Sequence, residues 1–356
     1  MSLHFHPLVI KKVNKETTDC ISVCFDTSQN PEFLTFKEGQ NITLKKIING
    51  EEIRRSYSIC SAPHEKELKI AIKQVDGGLF STYANNQLKQ NDILDVMLPS
   101  GKFNAHISGY DNYLAVAAGS GITPIISIIK HTLHSRPEST FTLVYGSKNR
   151  ASIIFFEELE NLKNKYIERF TLINILSREK TDTEINHGRI NEEKLHQLNK
   201  IIDYKKINSA YLCGPESMIF SAASFLESSG LAKNNIHYEL FTTPGQYQNK
   251  NIAKINIEDS SSPKSNVTIK VDGRSFSFDL SFKGNSILDE ALQQGADLPF
   301  ACKGGVCCTC RAKLLEGNVS MDVNYALEQE EVEHGFILTC QSHPVSNKVV
   351  IDFDVK

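Results

Sequence analysis

Short runs in which apolar and polar residues alternate dominate the first hundred positions of the chain. In one such run Leu68, Ile70 and Ile72 alternate with polar or small residues, and turn-forming residues separate the runs from each other. A period of two is typical of β-strands that bury one face. We therefore predict a small antiparallel β-barrel over residues 1–107.

A different rhythm begins near residue 108, where apolar runs alternate with segments of helical period. The apolar runs cover 113–118, 141–145, 171–176 and 210–213, and the helical segments include 153–162 and 216–226. Strands that alternate with helices in this way form parallel sheets with helices on both faces. Residues 108–242 are therefore predicted to fold as a doubly wound α/β domain.

The last third of the chain divides into a polar stretch and a second strand-rich region. Residues 243–265 have no sustained apolar period, which is typical of a flexible tether. Residues 266–356 return to strand-like runs around one helical piece, 286–294, and contain a close group of cysteines. We predict that they form a separate, small α+β domain.

Composition limits the partners and the compartment of this multi-domain protein. A formal net charge of -3 gives no overall attraction to nucleic acid or to anionic membranes. The longest apolar stretch, 113–129, approaches the length of a membrane span, but its central glycines and Pro124 form a turn that lipid-exposed backbone cannot tolerate. Residues 1–13 lack a secretory pattern. We predict a cytoplasmic protein that binds neither nucleic acid nor membrane.

The cysteine spacing is the most specific chemical signal in the sequence. Cys302, Cys307 and Cys310 stand as CxxxxCxxC, and Cys340 lies far downstream. This is the ligand spacing of plant-type [2Fe-2S] clusters, and the two glycines after the first cysteine permit turns that aim N–H groups at the sulfurs. The alternative is a four-cysteine zinc site, although such sites usually use two CxxC pairs.

Five other cysteines lie off this ligand pattern. Cys308 is inside the same loop, where we expect an uninvolved small side chain, although ligand exchange with it stays open. Cys20, Cys24 and Cys60 occur in strand-like runs, where free cysteine usually behaves as a small apolar residue.

Two short motifs in the predicted barrel, RSYS and GLFS, are similar to the flavin-binding motifs of the ferredoxin-NADP reductase superfamily. A permanently charged Arg suits a pyrophosphate, a Tyr ring can pack on the isoalloxazine, and a Ser hydroxyl can donate near its N5. We also expect Ser81 and Thr82 to start a helix whose free N–H groups face the phosphates. The alternative is an ordinary exposed Arg and a buried Tyr. The predicted flavin contacts are Arg55, Ser56, Tyr57, Ser58, Ile72, Lys73, Gly78, Leu79, Phe80, Ser81 and Thr82.

A glycine-rich turn, GSGITP, follows the first strand of the α/β domain and opens a helix. Gly119 and Gly121 shape the turn, while Thr123 is predicted as N-cap and Pro124 as first helical residue, which leaves amide groups free to bind an anion. The turn departs from the GxGxxG fingerprint, because Pro124 replaces the third glycine and no acidic residue follows about twenty positions later.

Ser177 and Arg178 follow the third predicted strand of the same domain, where a hydroxyl and a cation can hold the 2′-phosphate of NADPH. This pattern favours NADPH, with NADH left possible. The alternative for Arg178 is a solvated charge at the end of a strand.

For two further strand ends, only the resemblance to the superfamily indicates a role. In the run YLCGP, Cys213, Gly214 and Pro215 end a strand, and Glu239 and Phe241 end the last one. The resemblance implies that Cys213 lies near the nicotinamide and that Phe241 shields the flavin. It also implies a catalytic group of Ser58, Cys213 and Glu239, whereas spacing alone would assign Cys213 and Phe241 to the core.

The order of these motifs along the chain resembles the phenylacetyl-CoA epoxidase reductases and, more broadly, single-chain oxygenase reductases. The resemblance implies a β-grasp ferredoxin fold for the last domain and electron flow from NADPH through FAD and the [2Fe-2S] cluster to a di-iron oxygenase component. Another acceptor stays open: a different di-iron or Rieske oxygenase, a desaturase or a hybrid-cluster protein. The remaining alternative is a non-catalytic scaffold held together by zinc.

Overall fold

The computed structural model describes residues 4–104, 111–241 and 263–355. The chain divides into two compact units, a larger one over Phe5–Leu240 and a smaller one that contains 263–355. The polar stretch predicted as a tether lies outside the described residues up to position 262. Among the described residues, no helix combines the length and the apolar character that a bilayer span requires.

Within 4–104, six antiparallel strands form one sheet in the order β4-β3-β6-β1-β2-β5. An isolated bridge between Ile59 and Ile70 joins the two edges, and Cys60 N donates to Lys69 O at 2.8 Å. The sheet therefore closes, which confirms the predicted barrel. Its elements are β1 (His6–Thr17), β2 (Cys20–Asp26), β3 (Asn41–Ile48), β4 (Glu51–Ser58), β5 (Leu68–Lys73), helix α1 (Leu79–Gln87) and β6 (Ile93–Val96).

Both faces of strand β5 are buried. Leu68, Ile70 and Ile72 point into the barrel and are fully buried, as their alternation predicts. On the outer face, Ala71 is 5% exposed and belongs to the apolar cluster of the α/β domain, together with Cys60. The barrel and the α/β domain therefore share apolar packing inside the larger unit.

The residues from 111 to 241 contain five parallel strands in the order β11-β10-β7-β8-β9. The chain adds strands on one side of β7 and then crosses to the other side, so that a topological switch point lies between β7 and β10. This arrangement confirms the doubly wound prediction. The elements are β7 (Asn112–Ala118), α2 (Ile122–Ser135), β8 (Thr140–Ser147), α3 (Phe156–Lys165), β9 (Phe170–Leu176), α4 (Glu192–Leu198), β10 (Ser209–Cys213), α5 (Glu216–Ser228) and β11 (Ile236–Glu239).

Helix α3 begins later than its sequence predicts. A 3-10 turn covers Arg150–Ser152, Ile153 is extended, and Phe155 adopts a left-handed conformation at φ 61°. These three conformations interrupt the helical period that the apolar pattern from 153 suggested, and regular winding starts only at Phe156. The predicted start at 153 is therefore wrong by three residues.

In 263–355, five strands form a mixed sheet in the order β13-β12-β18-β14-β16, with β12 and β18 parallel, and two short strands form a separate ribbon. Ser286 caps helix α6 by accepting a hydrogen bond from Asp289 N, as an N-terminal serine does. The elements are β12 (Lys264–Val271), β13 (Arg274–Ser281), α6 (Ile287–Gln293), β14 (Arg311–Glu316), β15 (Val319–Met321), α7 (Gln329–Glu333), β16 (Phe336–Leu338), β17 (Ser342–Pro344) and β18 (Lys348–Asp352).

Candidate functional site

The two glycine-containing loops of the α/β domain meet at the switch point. A Cβ atom added to Gly121 would lie 2.1 Å from the carbonyl oxygen of Cys213 and 2.8 Å from the amide nitrogen of Gly214. Only glycine permits this backbone-to-backbone approach. The turn after β7 and the turn after β10 are thus packed together where ligands bind in open α/β sheets.

The predicted capping of helix α2 is wrong. The helix starts at Ile122, directly after a 3-10 turn over Gly119–Gly121, so Thr123 and Pro124 are already inside its first turn. The Thr123 hydroxyl donates to Ser120 O at 3.0 Å instead of accepting from a backbone amide. The proline is tolerated there because first-turn N–H groups have no helical partner.

A cation from the barrel lies beside this turn. The Nζ atom of Lys73, at the end of β5, is 3.7 Å from the position a Cβ on Gly119 would take, and Asp19 pairs with it at 3.7 Å. Gly119 itself has φ 55°, and its carbonyl accepts from the Tyr145 hydroxyl at 2.9 Å. The turn therefore combines a fixed backbone with one ammonium group, which suits a phosphate.

The three side chains predicted as catalytic converge at this end of the sheet. Ser58, the last residue of β4, donates to Glu239 Oε2 at 3.1 Å. Cys213 pairs with Glu239 in the parallel register of β10 and β11. The contact between Ser58 and Glu239 thus joins the barrel to the last strand of the α/β sheet.

Burial changes the acidity of two of these groups. It raises the pKa of the Glu239 carboxyl from 4.5 to about 7, although the hydrogen bond from Ser58 opposes the change. Burial, assisted by the charge of Glu239, also raises the pKa of the Cys213 thiol well above its usual value. At neutral pH the site therefore holds an un-ionised thiol beside a carboxyl group that can exchange a proton.

The two flavin-like motifs are in contact. Tyr57 packs against Phe80 with ring centroids 5.7 Å apart, and Phe80 in turn contacts Tyr83 at 6.3 Å. Arg55 is exposed, and Ser56 shares a hydrogen bond with Thr43 at 3.1 Å. The two motifs are thus packed together, but Phe80 is 1% exposed and lies in the barrel core, so its side chain does not face a bound flavin.

Helix α1 differs from its prediction at the N-terminus. It starts at Leu79 with Gly78 as N-cap, so the expected start at Ser81 is wrong. The Ser81 hydroxyl accepts from Val75 N at 3.1 Å and donates to Gly78 O, which holds the preceding loop closed, and Thr82 N donates to Gly78 O.

Three other predicted contact residues have distinct surroundings. Ile72 is fully buried in the barrel core, so its side chain faces away from any bound flavin, and its carbonyl accepts from Asn85. Pro215 directly precedes α5, and Phe241, two residues beyond β11, is 41% exposed.

The predicted nucleotide-specificity residues follow β9. Ser177 N donates to Ser147 O and Arg178 N to Lys148 O, so the backbone is fixed while the Arg178 side chain is exposed. A bridge between Leu176 and His187 extends this edge of the sheet. Sequence reasoning missed a basic cavity of about 610 Å³ beside this edge, because the cavity forms only where the loop after β9 packs against helix α4. Its lining comprises Lys180, Thr181, Glu184, Ile185, His187, Lys194, Gln197 and Lys200.

The four predicted cluster cysteines form two pairs in the smaller unit. A hydrogen bond from Cys307 lowers the pKa of Cys302 to about 6 against the effect of burial, and one from Cys310 lowers the pKa of Cys340. Gly304 N donates to the Cys302 sulfur at 3.3 Å, as the glycines in this loop predict. Amide donors to sulfur stabilise thiolates, which are the form that binds iron.

This donor set fits a binuclear cluster. A [2Fe-2S] cluster takes two ligands on each iron, whereas a zinc site surrounds one ion with four. Two thiol pairs, Cys302 with Cys307 and Cys310 with Cys340, match the first arrangement. Cys308 is engaged elsewhere, since its thiol donates to Ala326 O at 3.2 Å.

Family models match the chain in three consecutive regions. An oxidoreductase FAD-binding domain matches residues 7–105, an oxidoreductase NAD-binding domain matches 115–224, and a 2Fe-2S iron-sulfur cluster binding domain matches 269–345. The predicted FAD, nicotinamide-nucleotide and [2Fe-2S] domains are thereby confirmed in their predicted order.

Known proteins match the chain over nearly its whole length. It is 43% identical to one of the subunits of 1,2-phenylacetyl-CoA epoxidase from Escherichia coli, over 99% of this chain and 98% of the relative. It is 29% identical to the ferredoxin reductase component of 3-ketosteroid-9-alpha-monooxygenase from Rhodococcus rhodochrous, over 97% and 96%. The solved structure of phthalate dioxygenase reductase shares the fold, with a TM-score of 0.59 and 22% identity over 98% of each chain. The chain therefore belongs to the family of this phenylacetyl-CoA epoxidase subunit, the NAD(P)H-dependent reductases that combine FAD-binding, NAD-binding and [2Fe-2S] domains.

Proposed function

We propose that this protein takes electrons from NADPH and delivers them, through FAD and a [2Fe-2S] cluster, to the oxygenase component of a phenylacetyl-CoA epoxidase. The observation that carries the proposal is the contact of Ser58 with Glu239 beside Cys213, which joins the flavin barrel to the nucleotide domain. The relative at 43% identity is named as a subunit of such an epoxidase, which supports the choice of acceptor.

When bound, the flavin and the cluster would supply the redox chemistry, namely hydride exchange with the nicotinamide and single-electron transfer. The protein supplies position and electrostatics. Ser58 offers a hydroxyl to the flavin ring or to Glu239, and Glu239 holds or releases a proton near neutral pH. Cys213 is fully buried and un-ionised, so it would add an apolar side chain and no charge beside the site where the two rings would meet.

Nucleotide binding is assigned to the switch point and to the edge beyond β9. In this proposal Lys73, which the sequence predicted as a flavin contact, instead holds the pyrophosphate of the nucleotide together with Gly119 and Gly121. The adenosine of the nucleotide extends toward Ser177 and Arg178. Exposed Arg178, together with the basic cavity next to it, supports a preference for the 2′-phosphate of NADPH over NADH.

In the smaller unit, Cys302 and Cys307 would bind one iron and Cys310 and Cys340 the other, following the thiol pairs. All nine cysteines lie within the described residues and are free of disulfides. Free thiols are the normal state in a reducing compartment, which supports the proposed cytoplasmic location.

Reconstitution of turnover tests the choice of acceptor. The purified reductase is combined with NADPH and the oxygenase components of a phenylacetyl-CoA epoxidase, and formation of the epoxide is measured. The oxygenase component of a 3-ketosteroid-9-alpha-monooxygenase serves as the competing acceptor. Faster turnover with the epoxidase components is expected, and faster turnover with the steroid oxygenase would contradict the assignment.

A further inference from the structure

A chain of alternating charges crosses the contact between the barrel and the nucleotide domain. Lys130 of α2 donates to Glu65 Oε2 of the barrel at 2.7 Å and to Glu158 Oε1 of α3 at 2.8 Å. Lys69 of β5 donates to Glu158 Oε2 at 3.1 Å. These four side chains join the two domains in a continuous network, which we call the seam network.

The centre of the seam network is withdrawn from water. The Lys130 side chain is 5% exposed, and Glu158 is 29% exposed. Burial alone would raise the pKa of Glu158 and lower that of Lys130, but their opposite charges outweigh burial, so the pKa of Glu158 is lowered and that of Lys130 is raised. Both therefore stay charged at neutral pH, and removing Lys130 would take from Glu65 and Glu158 the one ammonium group that they share, while Glu158 would keep its contact with Lys69.

A second contact lies beside the seam network. The Ser127 hydroxyl, one turn before Lys130 on α2, donates to Ser61 O of the barrel at 2.6 Å, and both serines are fully buried. Cys60 and Ala71 on the outer face of the barrel belong to the same apolar cluster as the buried face of α2. Helix α2 is therefore fixed to the barrel by charge, hydrogen bonding and apolar packing.

The segments that meet at the seam network also contain or adjoin residues of the candidate site. Ser61 follows Ser58 by three residues, and Ser58 donates to Glu239. Lys130 and Thr123 lie on the same helix, separated by about 10 Å at about 1.5 Å per residue, and Thr123 is in the turn that follows the glycine loop. A shift at the seam would thus move the flavin-side hydroxyl relative to the nucleotide-side loop.

We propose that Lys130 is a positioning residue for hydride transfer, which fixes the barrel against the nucleotide domain through Glu65 and Glu158. The inference rests on the proposed function, because it assumes that a nicotinamide and a flavin meet between these domains. Lys130 is 5% exposed and engaged by Glu65 and Glu158, so we expect its effect in the rate of transfer at saturating nucleotide. Misplacement of reacting atoms by about 1 Å lowers such rates by about 10²-fold.

The test is rapid mixing of the flavin- and cluster-loaded protein with NADPH without oxygen, with flavin bleaching followed by absorbance. In Lys130→Met the limiting reduction rate is expected to fall about tenfold to hundredfold, while the Kd for NADPH changes less than about threefold. The matched control is Lys163→Met on α3; the Lys163 side chain is 48% exposed, and its ammonium pairs with Glu160 at 3.8 Å. The control should keep both values.

A second variant separates positioning from stability. Lys130→Met combined with Glu65→Gln removes one charge of each sign and leaves the pair of Glu158 with Lys69 intact. This double variant should recover unfolding temperature but keep the slow reduction rate, since neutral side chains no longer fix the domains. Ser127→Ala, which removes only the hydrogen bond to Ser61 O, should slow reduction about threefold to tenfold, and provides the test if Lys130→Met does not fold.

Two outcomes would overturn the inference. One is a folded Lys130→Met protein with the wild-type reduction rate, and the other is a double variant that recovers rate together with stability. If NADPH readily reduces the wild type, either result refutes only the positioning role of Lys130 and leaves the proposed function standing. A wild type that NADPH cannot reduce refutes the proposed function, and the positioning role with it.

Discussion

Replacement of Glu239 by Gln tests the electrostatics of the site through its dependence on pH. The carboxyl has a pKa of about 7 in the folded protein and an ordinary value of 4.5. Between these two values the folded state holds a proton that the unfolded state has released, so the stability of the wild type falls as pH rises from 4.5 to 7. The amide introduced by Glu239→Gln does not titrate, so the free energy of unfolding of the variant does not fall in this way as pH rises.

The size of the effect follows from the two pKa values. Their difference of about 2.5, at about 1.36 kcal/mol for each pKa unit, gives about 3 kcal/mol as an upper limit, reduced to the extent that water reaches the half-buried carboxyl. For a unit of this size, 1 kcal/mol changes the unfolding temperature by about 2–4 °C. The advantage of Glu239→Gln over wild type should therefore grow by at most about 6–12 °C between pH 4.5 and pH 8.

Thermal unfolding followed by the fluorescence of released FAD measures this difference directly. Wild type, Glu239→Gln and a surface control, Glu227→Gln, are compared across the pH range; Glu227 is exposed on α5. The reduction rate of the wild type should also change with an apparent pKa near 7 that is missing in Glu239→Gln. An equal gap in unfolding temperature at pH 5 and pH 8 would refute the assigned environment of Glu239.

Four further substitutions test the nucleotide and cluster assignments. Arg178→Ala should raise the KM for NADPH about tenfold to hundredfold by removing a charged hydrogen bond, with little change for NADH, and equal changes for both would contradict the 2′-phosphate assignment. Gly121→Ala places a Cβ 2.1 Å from the Cys213 carbonyl oxygen; it should destabilise the protein by about 1–3 kcal/mol and weaken nucleotide binding in a titration, and unchanged binding would argue against the switch-point site. Cys340→Ser should lose iron while Cys308→Ser retains it, as iron analysis can measure; equal iron contents would refute the choice of ligands.

Local patterns were sufficient to predict the chemistry that depends on spacing. The separation of Cys302, Cys307 and Cys310 fixes which thiols share one loop, and the thiol pairs agree with a binuclear cluster. Alternation in β5 predicted which side chains fill the barrel. In both cases the information lies within a few consecutive residues.

Helix boundaries were less predictable because a different local conformation preceded each helix. A 3-10 turn moved the start of α2 upstream of Thr123, and the left-handed Phe155 delayed α3. In the sequence, the residues at these two positions look the same as those of an ordinary capped helix start.

Contacts between distant segments carried no signal in the sequence. Lys130 and Glu65 are separated by more than sixty residues, and both appear as ordinary surface charges in the sequence. Tertiary packing, which decides such contacts, depends on the whole topology.

The most direct test of electron flow is anaerobic mixing of the purified protein with NADPH, with flavin followed by absorbance and the cluster by electron paramagnetic resonance. We expect the flavin to bleach first and the signal of a reduced [2Fe-2S] cluster to follow, while Cys340→Ser bleaches its flavin without that signal. Protein that carries zinc in place of iron, or whose flavin and cluster both stay oxidised with NADPH, would contradict the assignment.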